Sequence, residues 1–136
     1  MAFKLATDAS DDLLSLWGDA VRVAGTKRGG PELVATIRGD TAVDQMVGHL
    51  VDQRGLWLAT RGTATVGFVV YRDRVIEALY VDPHHRRRGV ARSMVNALRE
   101  LEQPPVDALA LPGDRATKSL YESFGWKARL LTMHAE

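Results

Sequence analysis

Apolar positions along the chain fall into helical and extended periods that take turns. Leu13, Leu16, Trp17, Ala20 and Ala24 form one stripe at helical spacing, which predicts a helix starting at Asp8 with Asp11 as a weak capping partner. Val43, Met46, Val47, Leu50 and Val51 follow the offsets three, four, seven and eight. A Thr41–Asp44 capping-box pair precedes them and Gly55 stands as the stop. Val90, Met94, Ala97, Leu98 and Leu101 mark a third helix, ended by Pro104-Pro105. Thr117, Leu120, Tyr121 and Phe124 share a face of a fourth, which Asp114 can cap and Gly125 closes.

The extended segments read differently. Residues 3–7 suggest a short first strand, and residues 56–60 and 65–71 are rich in β-branched and aromatic side chains, with Gly67 as a close-packing point or bulge. Arg72-Asp73-Arg74 turns the chain into a further strand, in which Ile76, Ala78 and Tyr80 alternate with Glu77, Leu79 and Val81. Both of those sets are largely apolar, so this strand is expected to be covered on both faces. Short connections make the three a meander. Residues 106–111 follow through a helix, and such a crossover makes the two strands parallel. Residues 127–133 predict a last strand. The sum is a single α/β domain over residues 1–136, a mixed, largely antiparallel sheet of six to seven strands flanked by about four helices. Residues 25–40 are the least regular, punctuated by Gly25, Gly29, Gly30 and Pro31. Lys27, Arg28, Glu32 and Arg38 on that stretch face either an acceptor or solvent.

Composition narrows the chemistry. The chain has no cysteine, which excludes disulfides, thiolate metal sites and a cysteine-linked acyl intermediate. A net charge of +1 gives no global pull toward nucleic acid or membrane. No charged-then-apolar leader and no run of eighteen apolar residues occurs, so a cytoplasmic protein with no membrane partner is the expectation.

The basic character is concentrated at Arg86, Arg87, Arg88 and Arg92. There the order is strand, basic loop, Gly89, helix. A helix start offers free N–H groups and the positive end of a dipole, glycine permits close approach, and arginines add charge-assisted bonds. The stretch reads as a phosphate cradle or as a solvated basic turn. Neither the nucleotide P-loop nor the dinucleotide fingerprint is present. A nucleic-acid site is disfavoured, since no other basic patch or aromatic platform accompanies the arginines. His84 and His85 are adjacent and diverge, so no metal site is expected.

Arg86-Arg87-Arg88-Gly89-Val90-Ala91 resembles the [RQ]-x-x-G-x-[GA] loop of the GNAT (Gcn5-related N-acetyltransferase) superfamily, and L-Y-V-D-P before it is similar to that family's motif strand. D-R-A-T-K-S-L-Y-E-S-F-G-W, from Asp114 to Trp126, resembles the second hallmark, with Leu120, Tyr121, Gly125 and Trp126 in place. Asp114 and Thr117 depart from the usual Asn and Ala, and an ionised Asp offers no donor. The resemblance runs from the meander onward and only in pattern before it. It implies a GNAT-like fold and an N-acetyltransferase with acetyl-CoA as donor and an amine of a small molecule or peptide as acceptor, without a metal. It implies donor contacts from Leu79, Tyr80, Val81, Arg86, Arg87, Arg88, Gly89, Val90, Ala91, Arg92, Asp114, Lys118 and Tyr121. Tyr121 would protonate the departing thiolate, and Glu77, on the motif strand, would serve as base or else remain a β-ladder salt-bridge partner. A non-catalytic acyl-CoA-binding module is the alternative. The acceptor, the acyl length and the choice between monomer and homodimer stay open.

Overall fold

The computed structural model describes residues 1–135. Its elements are β1 (Ala2–Leu5), α1 (Asp11–Ala24), α2 (Gly30–Arg38), a 3-10 turn (Val43–Gln45), α3 (Met46–Asp52), β2 (Leu56–Arg61), β3 (Ala64–Arg72), β4 (Val75–Val81), a second 3-10 turn (Pro83–His85), α4 (Val90–Arg99), β5 (Asp107–Ala108) and α5 (Arg115–Glu122). The five strands form one sheet in chain order. The first four pair antiparallel, and β4 pairs β5 in parallel, as the crossover through α4 requires. No helix among the described residues is long and apolar enough to cross a membrane.

Two apolar layers flank the sheet. Leu13 and Leu16 of α1, Ile37 of α2 and Met46, Val47 and Leu50 of α3 pack on Leu58, Phe68 and Val70. On the other face, Val90, Met94, Val95 and Leu98 of α4, with Tyr121 of α5, cover Val66, Val69 and Ile76. Burying both faces explains why β3 is almost continuously apolar.

Several expectations change here. α1 begins at Asp11 rather than Asp8, because the Ser10 side chain accepts the Leu13 N–H at 3.2 Å. The stretch 25–40 is not irregular: it holds α2, with Pro31 in its first turn and Gly29 entering at φ +79°. The Thr41–Asp44 capping box does not form; a 3-10 turn led by Ala42 comes first, and no side chain caps it. The sheet has five strands instead of six to seven, and the described residues hold five α-helices rather than about four. Residues 127–133 form no strand. Their would-be partner β5 is only two residues long, and Leu130, Leu131 and Met133 stand between 74% and 86% exposed.

The motif strand also departs from strict alternation. Tyr71 pairs Ile76 while Val70 pairs Ala78, so Glu77 is an extra residue in a β-bulge. The bulge reverses the faces. Ile76 joins the α4 side together with Leu79 and Val81, whereas Ala78 and Tyr80 pack on the α1 side.

Candidate active site

β4 and β5 stay paired only through Ile76 and Ala108, where the Leu109 N–H reaches the Ile76 carbonyl at 2.8 Å. Beyond that point the β5 chain leaves and β4 continues. The Asp82 N–H bonds Val66 O at 2.8 Å, which fixes the phase of the β3–β4 ladder. In that phase Ala78 and Tyr80 bond toward β3, and the main-chain groups of Leu79 and Val81 face the opened side. A void of about 100 Å³ lies along this opening. Lys27, Leu33, Ala78, Tyr80, Leu111 and Asp114 are among its walls. A second, polar cavity of about 550 Å³ lies toward the β3–β4 turn, walled by Gln53, Arg54, Arg72 and Asp73. Glu77 and Leu109 border both.

The loop after β4 is built by local bonds. Pro83 ends the ladder, Asp82 Oδ1 accepts the His84 N–H at 3.0 Å, and Arg87 and Gly89 both adopt positive φ, +61° and +77°. Gly89 stands at the N-cap of α4 and provides no side-chain cap, so the first N–H groups of α4 are left for another acceptor. Open space surrounds the position a Gly89 Cβ would take. The arginines diverge. Arg86 turns back, its Nε donating to Val81 O at 3.2 Å with its guanidinium over the Tyr80 ring. Arg87 and Arg88 are exposed. Arg92 donates to Ser123 Oγ at 2.9 Å and lies over Phe124. Val90 is buried in the core and Ala91 half-buried beside it.

Tyr121 stacks on Trp126 and is 6% exposed. Its hydroxyl is buried and makes no hydrogen bond among the described residues. Burial, and secondarily the charge of Asp114, push its ionisation well above the usual phenol range. Asp114 caps α5: Oδ1 accepts the Thr117 N–H at 3.1 Å and Oδ2 accepts the Thr117 hydroxyl at 2.7 Å. The Lys27 ammonium lies 3.5 Å from the same Oδ2. Lys118 stands exposed on the next turn of α5. Glu77 is gripped from two sides by Arg72, Nε to Oε1 at 2.5 Å and Nη2 to Oε2 at 3.0 Å. That pairing raises the ionisation of Arg72 above its ordinary value.

The salt-bridge reading of Glu77 left its partner unnamed, and that partner is Arg72, which in sequence reads only as a turn residue. The signal was available, since a two-residue hairpin turn between Arg72 and Val75 brings the two strand ends side by side. Lys27 was read as acceptor-facing or solvated; the structure places it on Asp114, a pairing across 87 positions that no local pattern encodes.

A bulged strand parted from a parallel neighbour, followed by an uncapped helix start, defines an α/β domain with an opened strand edge. The model of the acetyltransferase (GNAT) domain matches residues 52–128, more than half of the chain, and the chain belongs to the GNAT acetyltransferase family. Over 72 residues, 53% of this chain, it is 29% identical to YafP, an uncharacterized N-acetyltransferase of Escherichia coli K12, and it spans 45% of that protein's length. A ribosomal-protein-alanine N-acetyltransferase from Brucella melitensis biovar Abortus superposes with a TM-score of 0.53 at 21% identity, covering 85% of this chain and 94% of that one. The aminoglycoside N-acetyltransferase AAC(6')-Iy, in complex with the bisubstrate analogue CoA-S-monomethyl-acetylneamine, superposes with a TM-score of 0.56 at 14% identity, covering 100% of this chain and 99% of that one. These structural likenesses establish the fold.

Proposed function

We propose that the protein moves an acetyl group from acetyl-CoA to a primary amine by direct transfer in a ternary complex. The observation that carries this reading is the uncapped start of α4 at the end of an opened strand edge. The N–H groups at Gly89, Val90 and Ala91 would take the donor's pyrophosphate, with Arg87 and Arg88 adding charge from the exposed side. The pantetheine arm would run along Leu79 to Val81, and a main-chain N–H there would meet the thioester oxygen as charge develops on it.

The acceptor amine must lose one proton, form the N–C bond and release the thiolate, which takes a proton in turn. Glu77 would receive the first, directly or through water. Arg72 engages only part of its acceptor capacity, since a carboxylate offers about four lone-pair sites. Tyr121 would supply the second. The CoA-containing complex of AAC(6')-Iy is consistent with such a donor. The burial of the Tyr121 hydroxyl outside the void favours a second reading, a non-catalytic acyl-CoA-binding module.

The deciding experiment is calorimetric titration of acetyl-CoA into the wild type and into an Arg88→Ala, Gly89→Asp double variant, followed by thiol release with an amine panel. Binding that the double variant loses, with amine-dependent thiol release, supports the enzyme. Binding without release supports the module. No binding at millimolar coenzyme overturns both.

A further inference from the structure

We propose that the acceptor occupies the polar cavity beside Glu77 and that Arg54 selects one carrying a carboxylate, so that the substrate is a small amino acid. This rests on the acetyltransfer reading and names the acceptor class of the same site.

The donor's arm takes the opening along β4, so the acceptor must come from elsewhere and still meet Glu77. Among the described residues, Glu77 and Leu109 alone border both that opening and the second cavity. An amine seated in the one and a thioester in the other would share Glu77. The second cavity, about 550 Å³, has the size of a small-molecule site, for which about 300–1,000 Å³ is usual.

Its charges decide what fits. Arg54, Arg72, Asp73 and Glu77 line it, two of each sign. Arg72 is taken up. It holds both Glu77 oxygens and donates to Gln53 Oε1 at 3.0 Å and to the Ile37 carbonyl at 3.3 Å. Asp73 acts on the same guanidinium, whose ionisation its charge helps to raise. Arg54 is exposed and, among the described residues, forms no ion pair. Gln53, next to it in the chain, gives its oxygen to Arg72 and keeps its amide N–H groups as donors. One guanidinium is therefore left for an anion, and Glu77 keeps acceptor capacity for an amine. A dipolar ligand answers both. A polycation would meet two guanidiniums and no net negative charge.

The backbone adds an independent observation. Arg54 closes α3 in a Schellman turn: its N–H bonds Val51 O at 3.0 Å, the Gly55 N–H bonds Leu50 O at 2.9 Å, and Arg54 itself stands at φ +57°. Glycine is the usual residue at that place, since a Cβ is crowded there. The chain thus carries an arginine where the turn favours glycine, and that arginine lines the cavity.

The test is steady-state thiol release from acetyl-CoA with glycine, leucine, β-alanine and 4-aminobutanoate. Each is set beside the alkylamine that lacks its carboxylate, with neamine as a polycation. The proteins are the wild type, Arg54→Gly and Arg54→Lys. In the wild type the best amino acid has a KM about tenfold below that of its alkylamine, the scale of one charge-assisted pair. Arg54→Gly brings that ratio to about one, and Arg54→Lys, which keeps the charge without the fork, restores part of it. The Tm of Arg54→Gly stays level or rises, because glycine suits the turn, so lost discrimination is not lost folding. Equal displacement of KM for amino acids and alkylamines overturns the assignment, as does wild-type preference for the alkylamines or for neamine. Failure of the underlying reading looks different: no amine of the panel releases thiol, or acetyl-CoA produces no binding heat.

Discussion

Tyr121 combines burial with a hydroxyl that makes no hydrogen bond among the described residues. An unsatisfied buried polar group costs about 1–3 kcal/mol. Tyr121→Phe is therefore expected to leave thermal stability unchanged or raise it by about 1 kcal/mol, while amine-dependent turnover falls about a hundredfold, a typical contribution of a positioned proton donor. Melting curves and thiol-release rates on the same preparation check both halves. The ionisation of Tyr121 is raised by burial, so the folded state holds a proton that the unfolded chain gives up near pH 10. Stability should be fully present below pH 10 and decline as pH rises above it, and Tyr121→Phe should flatten that decline. Tyr71, raised by its own burial, contributes in the same direction. At this scale the sequence was informative where a residue sits in a motif: Gly89, Asp114 and Tyr121 are found in the loop, cap and helix expected of them. It was silent where a residue acts through distant partners, as with Lys27 on Asp114 or Arg86 on Val81.

At the scale of elements, α2 shows how punctuation can mislead. Gly29, Gly30 and Pro31 look like loop residues, yet they are how this helix begins. Gly29 supplies the positive φ, Pro31 fits the first turn, and Gly30 lets α2 start hard against the end of α1. A Cβ on Gly30 would lie 1.7 Å from the Ala24 carbonyl oxygen. Because that obstacle is backbone, Gly30→Ala should destabilise by about 2–4 kcal/mol and lower Tm by roughly 10 °C, measurable by calorimetry. The bulge at Glu77 was illegible for a related reason. Both faces of β4 are apolar, so the period of two that normally reports a strand's orientation carries no contrast, and an extra residue leaves no trace in the pattern.

For the molecule as a whole, the antiparallel meander and the parallel crossover were legible from connection lengths, whereas the last strand expected over residues 127–133 does not form. Residues 127–133 hold a single β-branched side chain, Thr132, and pairing also needs an edge, of which β5 offers two residues. Their attachment to the rest includes the exposed Arg129–Asp107 ion pair at 2.7 Å. Such pairs contribute about 0–1 kcal/mol, so a chain ending at residue 127 should unfold within about 1 kcal/mol of the full chain in denaturant titrations.

The Arg86–Val81 bond has a further meaning at this scale. A sheet that opens between two of its strands exposes an unpaired edge in its interior, and such an edge is a template for another molecule's strand. Here the carbonyl of Val81 is capped by a guanidinium, and the next residues, Asp82-Pro83, leave the strand. With that acceptor occupied and the chain turning away at Asp82-Pro83, the free edge is confined to a few main-chain groups of Leu79 and Val81, which limits its use as a template. Arg86→Ala should turn the same gap into an adhesive seam, visible as concentration-dependent association in light scattering that saturating acetyl-CoA suppresses.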